Sequence, residues 1–253
     1  KAEIKDRVGR IAEALGISEH LAKRPSKLSG GQRQRVSLAR AMIRRPRMFL
    51  MDEPLGHLEA YLRIELRRQI RALHEEAGGT TLYITHDQEE AAAVGERIAV
   101  MSGGTLQQVG TMRDLMDRPA NRFVAEFVGE PPISMFEAPR LEEGRLHLGD
   151  FPFALPDALL RAAGARRIDA AGIRPTHLKL DGPETEGLSA RVASVQPMGD
   201  WGLVICDTPA GSASAVVPVR DLPAEGAAVR LRPDLDRLLL FGPSGENLAM
   251  AEG

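Results

Sequence analysis

The sequence predicts an α/β domain followed by a β-rich one, and three observations carry that prediction. Residues 45–129 alternate short apolar runs with stretches of helical periodicity, the pattern of strands and covering helices in an open sheet. From about residue 133 the texture changes to short runs of strand length broken by Gly and Pro, as in small antiparallel barrels. Between the two, Pro131-Pro132 marks a boundary, because proline removes a backbone donor and restricts the residue before it. The expected domains are therefore 1–129 and 130–253.

The first domain opens with helices over 1–44. Ile4, Val8, Ile11 and Leu15 recur at helical spacing, and Gly16 stops that helix. A second helix follows Pro25. Met48-Phe49-Leu50-Met51 has the length of a buried parallel strand and ends in Asp52-Glu53-Pro54. Leu62, Leu66, Ile70 and Leu73 then form one apolar helix face that Gly78-Gly79 terminates, and a second strand runs from Thr81 to Thr85. Asp87 followed by Glu90 has the spacing of a capping box for the next helix. Ile98–Met101 and Thr105–Val109, joined through Ser102-Gly103-Gly104, read as a hairpin. In the second domain, Ala190–Val195, Leu203–Cys206, Ala215–Val219, Ala228–Arg232 and Arg237–Phe241 each have strand length.

Two places carry chemistry. At 28–41 the chain reads LSGGQRQRVSLARA, in which Ser29 offers a hydroxyl and Gly30 and Gly31 let backbone approach an anion at the positive end of a helix. Taken alone, a Ser-Gly-Gly turn reads first as a simple helix cap. At the strand ends stand Asp52, Glu53 and His86. Adjacent carboxylates at the end of a buried strand are costly unless a cation, water or substrate meets them.

Residues 28–41 resemble, almost letter for letter, the signature motif of ATP-binding cassette (ABC) ATPases; Asp52-Glu53 resembles their Walker B end, and ITHDQEEA at 84–91 their switch-histidine segment. The resemblance implies the back half of a P-loop ABC core with part of its helical subdomain, ending in the signature helix at 1–44. It implies that Ser29, Gly30, Gly31 and Gln32 meet the phosphates of ATP held by an opposite subunit. Asp52 would hold Mg²⁺ through water, Glu53 would polarise the attacking water, and His86 would contact the γ-phosphate. Gly172-Ile173-Arg174-Pro175-Thr176-His177-Leu178 and Phe241–Glu246 resemble segments of an OB-like, TOBE-type regulatory domain in importer ATPases for maltose-like sugars or glycerol phosphate. For Arg174 and His177, a surface loop tied by hydrogen bonds and a regulatory contact both stand open.

Two departures qualify the resemblance. No G-x-x-x-x-G-K-[ST] loop occurs in the chain, which starts at Lys1, so it reads as the carboxyl-terminal part of such a subunit and is not expected to bind ATP tightly in cis. After Walker B, Gly56 and Glu59 stand where the family generally has Ser and Asp. The longer Glu59 would shift a close contact by about an ångström and slow turnover on the order of a hundredfold, unless the turn absorbs it. His57 reads as a solvated turn residue.

The resemblance implies a homodimer or heterodimer of ATPase subunits that drives membrane-spanning permease subunits fed by a substrate-binding protein, peripheral at the cytoplasmic face of the inner membrane. Importers of polyamines or metal-bound ligands, and a non-catalytic regulatory fragment, are the alternatives. Composition fits: 43% hydrophobic residues fill cores, a lone Cys206 matches a reducing compartment, and no apolar run approaches the ~20 residues that span a bilayer, nor does a signal peptide open the chain. The net charge of −2 divides into a mildly basic 1–129 and an acidic remainder, and Trp201 is the only tryptophan, which argues against nucleic acid on the barrel.

Overall fold

The computed structural model describes residues 2–44, 47–56, 60–164 and 166–250, and the chain divides into two compact units, Lys1–Ile98 and Ala99–Gly253.

The first unit contains α1 (Ala2–Ala14), α2 (Gly30–Ile43), β1 (Met48–Asp52), α3 (Ala60–Ala77), β2 (Thr80–Ile84) and α4 (Gln88–Val94), and ends as β3 (Ile98–Ser102) begins. Its core joins Ile11 and Leu15 of α1, Leu38 and Met42 of α2, Phe49 and Met51 of β1, and Leu66 and Ile70 of α3. Gly16 ends α1 with φ +61°, and there Arg35 of α2 donates to the carbonyls of Leu15 (3.2 Å) and Gly16 (3.3 Å). Arg7 of α1 donates in turn to Met42 at the end of α2. Each helix thus donates to carbonyls at the end of the other. Ile4, expected on the apolar face of α1, is exposed.

β1 and β2 pair in parallel, from Met48 opposite Thr80 to Asp52 opposite Ile84, so both strands end at the same level. The expectation of a fully buried strand needs correction. Phe49 and Met51 face the core, but Leu50 on the other face is 74% exposed, and Met48, Leu82 and Ile84 are exposed with it. The strand's period of two sends alternate residues to opposite faces, and only one face is covered among the described residues. Asp52 and Glu53 are consequently exposed, and the desolvation anticipated for them is absent here.

The second unit follows with β4 (Thr105–Gly110), α5 (Met112–Asp117), α6 (Arg122–Phe127), β5 (Ser134–Glu137), β6 (Arg140–Glu142), β7 (Arg145–Leu148), β8 (Phe151–Ala154) and α7 (Asp157–Ala163). After these come β9 (Ala170–Ile173), β10 (Leu178–Asp181), β11 (Leu188–Pro197), β12 (Trp201–Thr208), β13 (Gly211–Pro218), β14 (Ala228–Pro233) and β15 (Leu239–Phe241). β3 and β4 form the expected hairpin, turned by Gly103 and Gly104 at φ +55° and +78°, the left-handed pair that a two-residue turn requires. A five-stranded sheet runs β10-β14-β11-β12-β13, antiparallel throughout, and its edge strands β10 and β13 approach one another, curling it nearly into a barrel. Phe136, Leu148, Val204, Cys206, Leu231 and Leu240 fill its core.

Four of the five strand segments read from sequence lie within β11, β12, β13 and β14, Val219 excepted. The fifth shrinks to Leu239–Phe241, because Leu235–Arg237 is a 3-10 turn capped by Asp234. Residues 99–129, expected with the α/β core, fall in the second compact unit. Asn247 donates to the carbonyls of Pro119 (2.8 Å) and Ala120 (3.1 Å), and Arg122 forms a fork of hydrogen bonds with Glu137. Those bonds bind the segment to the β-rich half.

Candidate functional site

The register of β1 and β2 delivers Glu53 and His86 to the same place. Glu53 N–H donates to the carbonyl of Ile84 (2.9 Å), and His86 Nδ1 lies 2.9 Å from Glu53 Oε1. Both side chains are more than half exposed, at 76% for His86 and 51% for Glu53. The Glu53 hydrogen bond, and then its charge, raise the His86 pKa above the ordinary histidine value. Glu53 itself adopts φ +42°, a left-handed conformation uncommon for a residue with a long side chain. Its carbonyl accepts from Gly56 N–H (3.2 Å) and from Gln34 Nε2 of α2 (3.2 Å). Sequence reasoning missed Gln34. Its position two residues past Gln32 gave no sign that it would reach the acid.

The segments flanking His86 are anchored by charge. Asp87 caps α4 by accepting from Glu90 N–H (3.0 Å), as expected, but the reciprocal half of the box is absent. Glu90 is buried, and its carboxylate accepts from the hydroxyls of Tyr83 (3.0 Å) and Thr85 (2.9 Å). Thr85 Oγ1 instead accepts the Asp87 N–H (3.0 Å). Asp87 Oδ2 accepts from Arg63 (3.1 Å) and Arg67 (3.0 Å), one turn apart on α3, and Arg67 also reaches Glu89. Burial pushes the Asp87 pKa up, yet the Glu90 amide and Arg67 outweigh it and hold the carboxyl below its usual range. For Tyr83, burial and then the Glu90 charge move the phenol well upward. Arg63 and Arg67 were also missed, since nothing in the spacing named their carboxylate partner.

At the other end of α2, Ser29 is the N-cap. Its Oγ accepts from Gln32 N–H (3.2 Å), while Gln32 Oε1 accepts the Ser29 N–H (2.9 Å), a complete capping box. The S-x-x-Q spacing could have revealed it. A Cβ built on Gly30 would meet nothing within 4 Å, so no described neighbour requires glycine there. Asp52 supplies one exposed carboxylate. Among the described residues no group of three or more His, Cys, Asp or Glu is placed to hold a metal ion. His57 and Glu59 lie outside the described residues. Gly56 has room, because a Cβ there would stand 3.6 Å from Glu53 O and Oε2, ordinary contacts.

In the second unit, Arg174 is a buried structural residue. Its guanidinium donates to the carbonyls of Ala125 (3.1 Å) and Val128 at the end of α6, and of Met116 (3.4 Å) in α5. Without a carboxylate in that set, burial lowers its pKa to about 10. His177 is half-buried in the 3-10 turn Pro175–His177, and its N–H is bonded to the Arg174 carbonyl (2.8 Å). A cavity of about 170 Å³ opens beside both. Arg174 is thus tied by hydrogen bonds as expected, but it is buried and not part of the surface loop that expectation described.

Known proteins match both halves. The ABC transporter family model matches residues 2–56 and the TOBE domain model matches 171–241. An sn-glycerol-3-phosphate import ATP-binding protein of Agrobacterium fabrum is 37% identical over 257 residues, covering 100% of this chain and 68% of that protein. One from Chromobacterium violaceum is 45% identical over 201 residues, 79% of this chain and 54% of that protein. A trehalose/maltose import ATP-binding protein of Thermococcus litoralis is 50% identical over 158 residues, 62% of this chain and 42% of that protein. The chain spans about half the length of the curated relatives it matches most strongly. With a signature helix, a carboxylate and histidine meeting at paired strand ends, and a β-rich TOBE half, the chain belongs to the ABC transporter import ATP-binding family.

Proposed function

We propose that the full-length polypeptide carrying this chain is the ATP-hydrolysing, energy-coupling subunit of an importer for sugars, polyols or glycerol phosphate. The observation that carries this reading is the Glu53–His86 pair, 2.9 Å apart, beside the signature helix. His86 occupies Oε1 of Glu53, which leaves Oε2 to accept a proton from water as that water attacks the γ-phosphorus and the bond to the β-phosphate oxygen breaks. His86, its pKa raised, offers positive charge to the γ-phosphate. Ser29, Gly30, Gly31 and Gln32 meet the phosphates of a nucleotide on a second ATPase subunit, and the open space at Gly30 supports a close approach. Asp52 is assigned to Mg²⁺, which would add charge neutralisation at the phosphates.

The substrate class rests on the names of the relatives, all import ATP-binding proteins for glycerol phosphate or saccharides among those described above. The partners follow from the same reading: an ATPase dimer, membrane-spanning permease subunits and a substrate-binding protein. Among the described residues no helix is long and apolar enough to cross a membrane. From the names of its relatives we assign the subunit to the cytoplasmic membrane face, held there by its permease. The division at 129/130 is retained as the boundary between ATPase and regulatory modules.

The test uses the full-length polypeptide. Glu53→Gln should abolish turnover while ATP binding persists and a closed dimer accumulates, because the base is lost and the phosphate contacts remain. Near-normal hydrolysis in that variant would overturn the assignment.

A further inference from the structure

Three of the contacts around Glu53 act on its backbone, and only one of those comes from a side chain. The Glu53 N–H is held by Ile84 of β2, and its carbonyl by Gly56 N–H and by Gln34 Nε2. A left-handed backbone at a residue with a full side chain persists only where its surroundings over-determine it. Gln34 belongs to that set. Its other amide atom, Oε1, is buried without a partner among the described residues, so the Nε2 bond to Glu53 decides how this amide is oriented.

Gln34 stands on the signature helix. Residues three and four apart share a helix face, so Gln34 lies on the face of Gly31 and Gly30, about 4.5 and about 6 Å further along the axis. The same rigid element therefore carries the phosphate-facing glycines at its first turn and a hydrogen bond to the acid one turn later.

We propose that Gln34 is a positioning residue that ties the signature helix to the catalytic acid of its own chain, so that engagement of the helix on one nucleotide site sets the acid geometry of another. The proposal rests on the ATPase reading above. A shift of α2 when Gly30 and Gly31 meet a phosphate moves the Gln34 amide, the amide moves the Glu53 peptide, and Glu53 Oε1 moves against His86. In a head-to-tail dimer this links the site that the helix completes to the site that the acid serves. Closure at one is read at the other without a contact between the two nucleotides.

The test is the ring NMR signal of His86 in the 253-residue chain, with Glu53→Gln providing the position of an unpaired His86. Gln34→Met removes the donor at equal length, Gln34→Ala removes it in a second way, and Gln34→Lys restores a donor. We expect Met and Ala to move the His86 signals at least half way to the Glu53→Gln position, and Lys to leave them near the parent. Unmoved signals in both Met and Ala variants would overturn the proposal, as would a Glu53→Gln variant that does not move them. In the full-length polypeptide, Gln34→Met should lower kcat about tenfold with KM unchanged, the mark of an interaction that shapes the reacting geometry. A raised KM at unchanged kcat would count against it. Absence of turnover in the parent would sink the ATPase reading, while the His86 comparison would still judge Gln34.

Discussion

Arg67 on α3 lies 3.0 Å from Asp87, the residue directly after His86, and both side chains are largely shielded from water. Removing one member of a shielded pair leaves its partner's charge uncompensated. Arg67→Met should therefore destabilise the first unit by about 3 kcal/mol, measured by chemical denaturation. Arg63 and the Glu90 amide still serve Asp87, which keeps the loss from being larger. A loss below about 0.5 kcal/mol, the range of ordinary surface changes, would show that the pair does not anchor this turn.

His86 supplies a pH dependence. Its pKa is raised in the fold by Glu53, so the stabilisation of the charged pair is complete below the unfolded value of about 6.5 and fades as pH rises through the higher folded value. Titration of the ring by NMR should give a midpoint above the ordinary value in the parent and one near it in Glu53→Gln. Equal midpoints would mean the pair does not form.

Two glycines should respond oppositely to a methyl group. Gly56→Ala meets only ordinary contacts among the described residues, and its stability should change by less than about 0.5 kcal/mol. Gly129 has φ +111° and its Cβ would stand 2.6 Å from Arg174 Nη1 and 3.0 Å from Met116 Sδ. Gly129→Ala should cost about 2 kcal/mol or more from strain and displaced packing. Thermal melts of the two variants compare them directly, and similar shifts would contradict the geometry.

The purified 253-residue chain should show no ATPase activity, because it carries no G-x-x-x-x-G-K-[ST] loop to cradle the phosphates. Turnover that disappears in Glu53→Gln would refute this.

Trans action can be tested in the full-length dimer. Gly31→Asp puts a carboxylate where a phosphate should sit, and two unit charges about 4 Å apart repel by several kcal/mol at an effective dielectric near 20. Closure should fail while each subunit's affinity for a single nucleotide stays nearly unchanged. A large loss of single-nucleotide affinity would place the signature in cis instead.

Much of this was legible locally. The signature, Asp52-Glu53, His86 and the Gly103-Gly104 hairpin are short contiguous patterns whose meaning depends on neighbours in sequence. β5–β10 escaped because strands of three or four residues carry too few alternations to stand out from loop. Distance along the chain hid the helix-capping role of Arg174, whose carbonyl partners lie 46 and 49 residues away.

The sequence by itself determined the order of α/β and β-rich halves, the capped glycine turn at 29–31 and which acid and histidine end their strands, since each follows from backbone preference and side-chain period. Tertiary structure alone decided the parallel register that sets Glu53 against His86, the reach of Gln34 to the Glu53 carbonyl, and the capture of Asp87 by Arg63 and Arg67. Those contacts join residues 19 to 33 positions apart, and no pattern along the chain specifies which of many available donors will meet a given acceptor until packing brings them together.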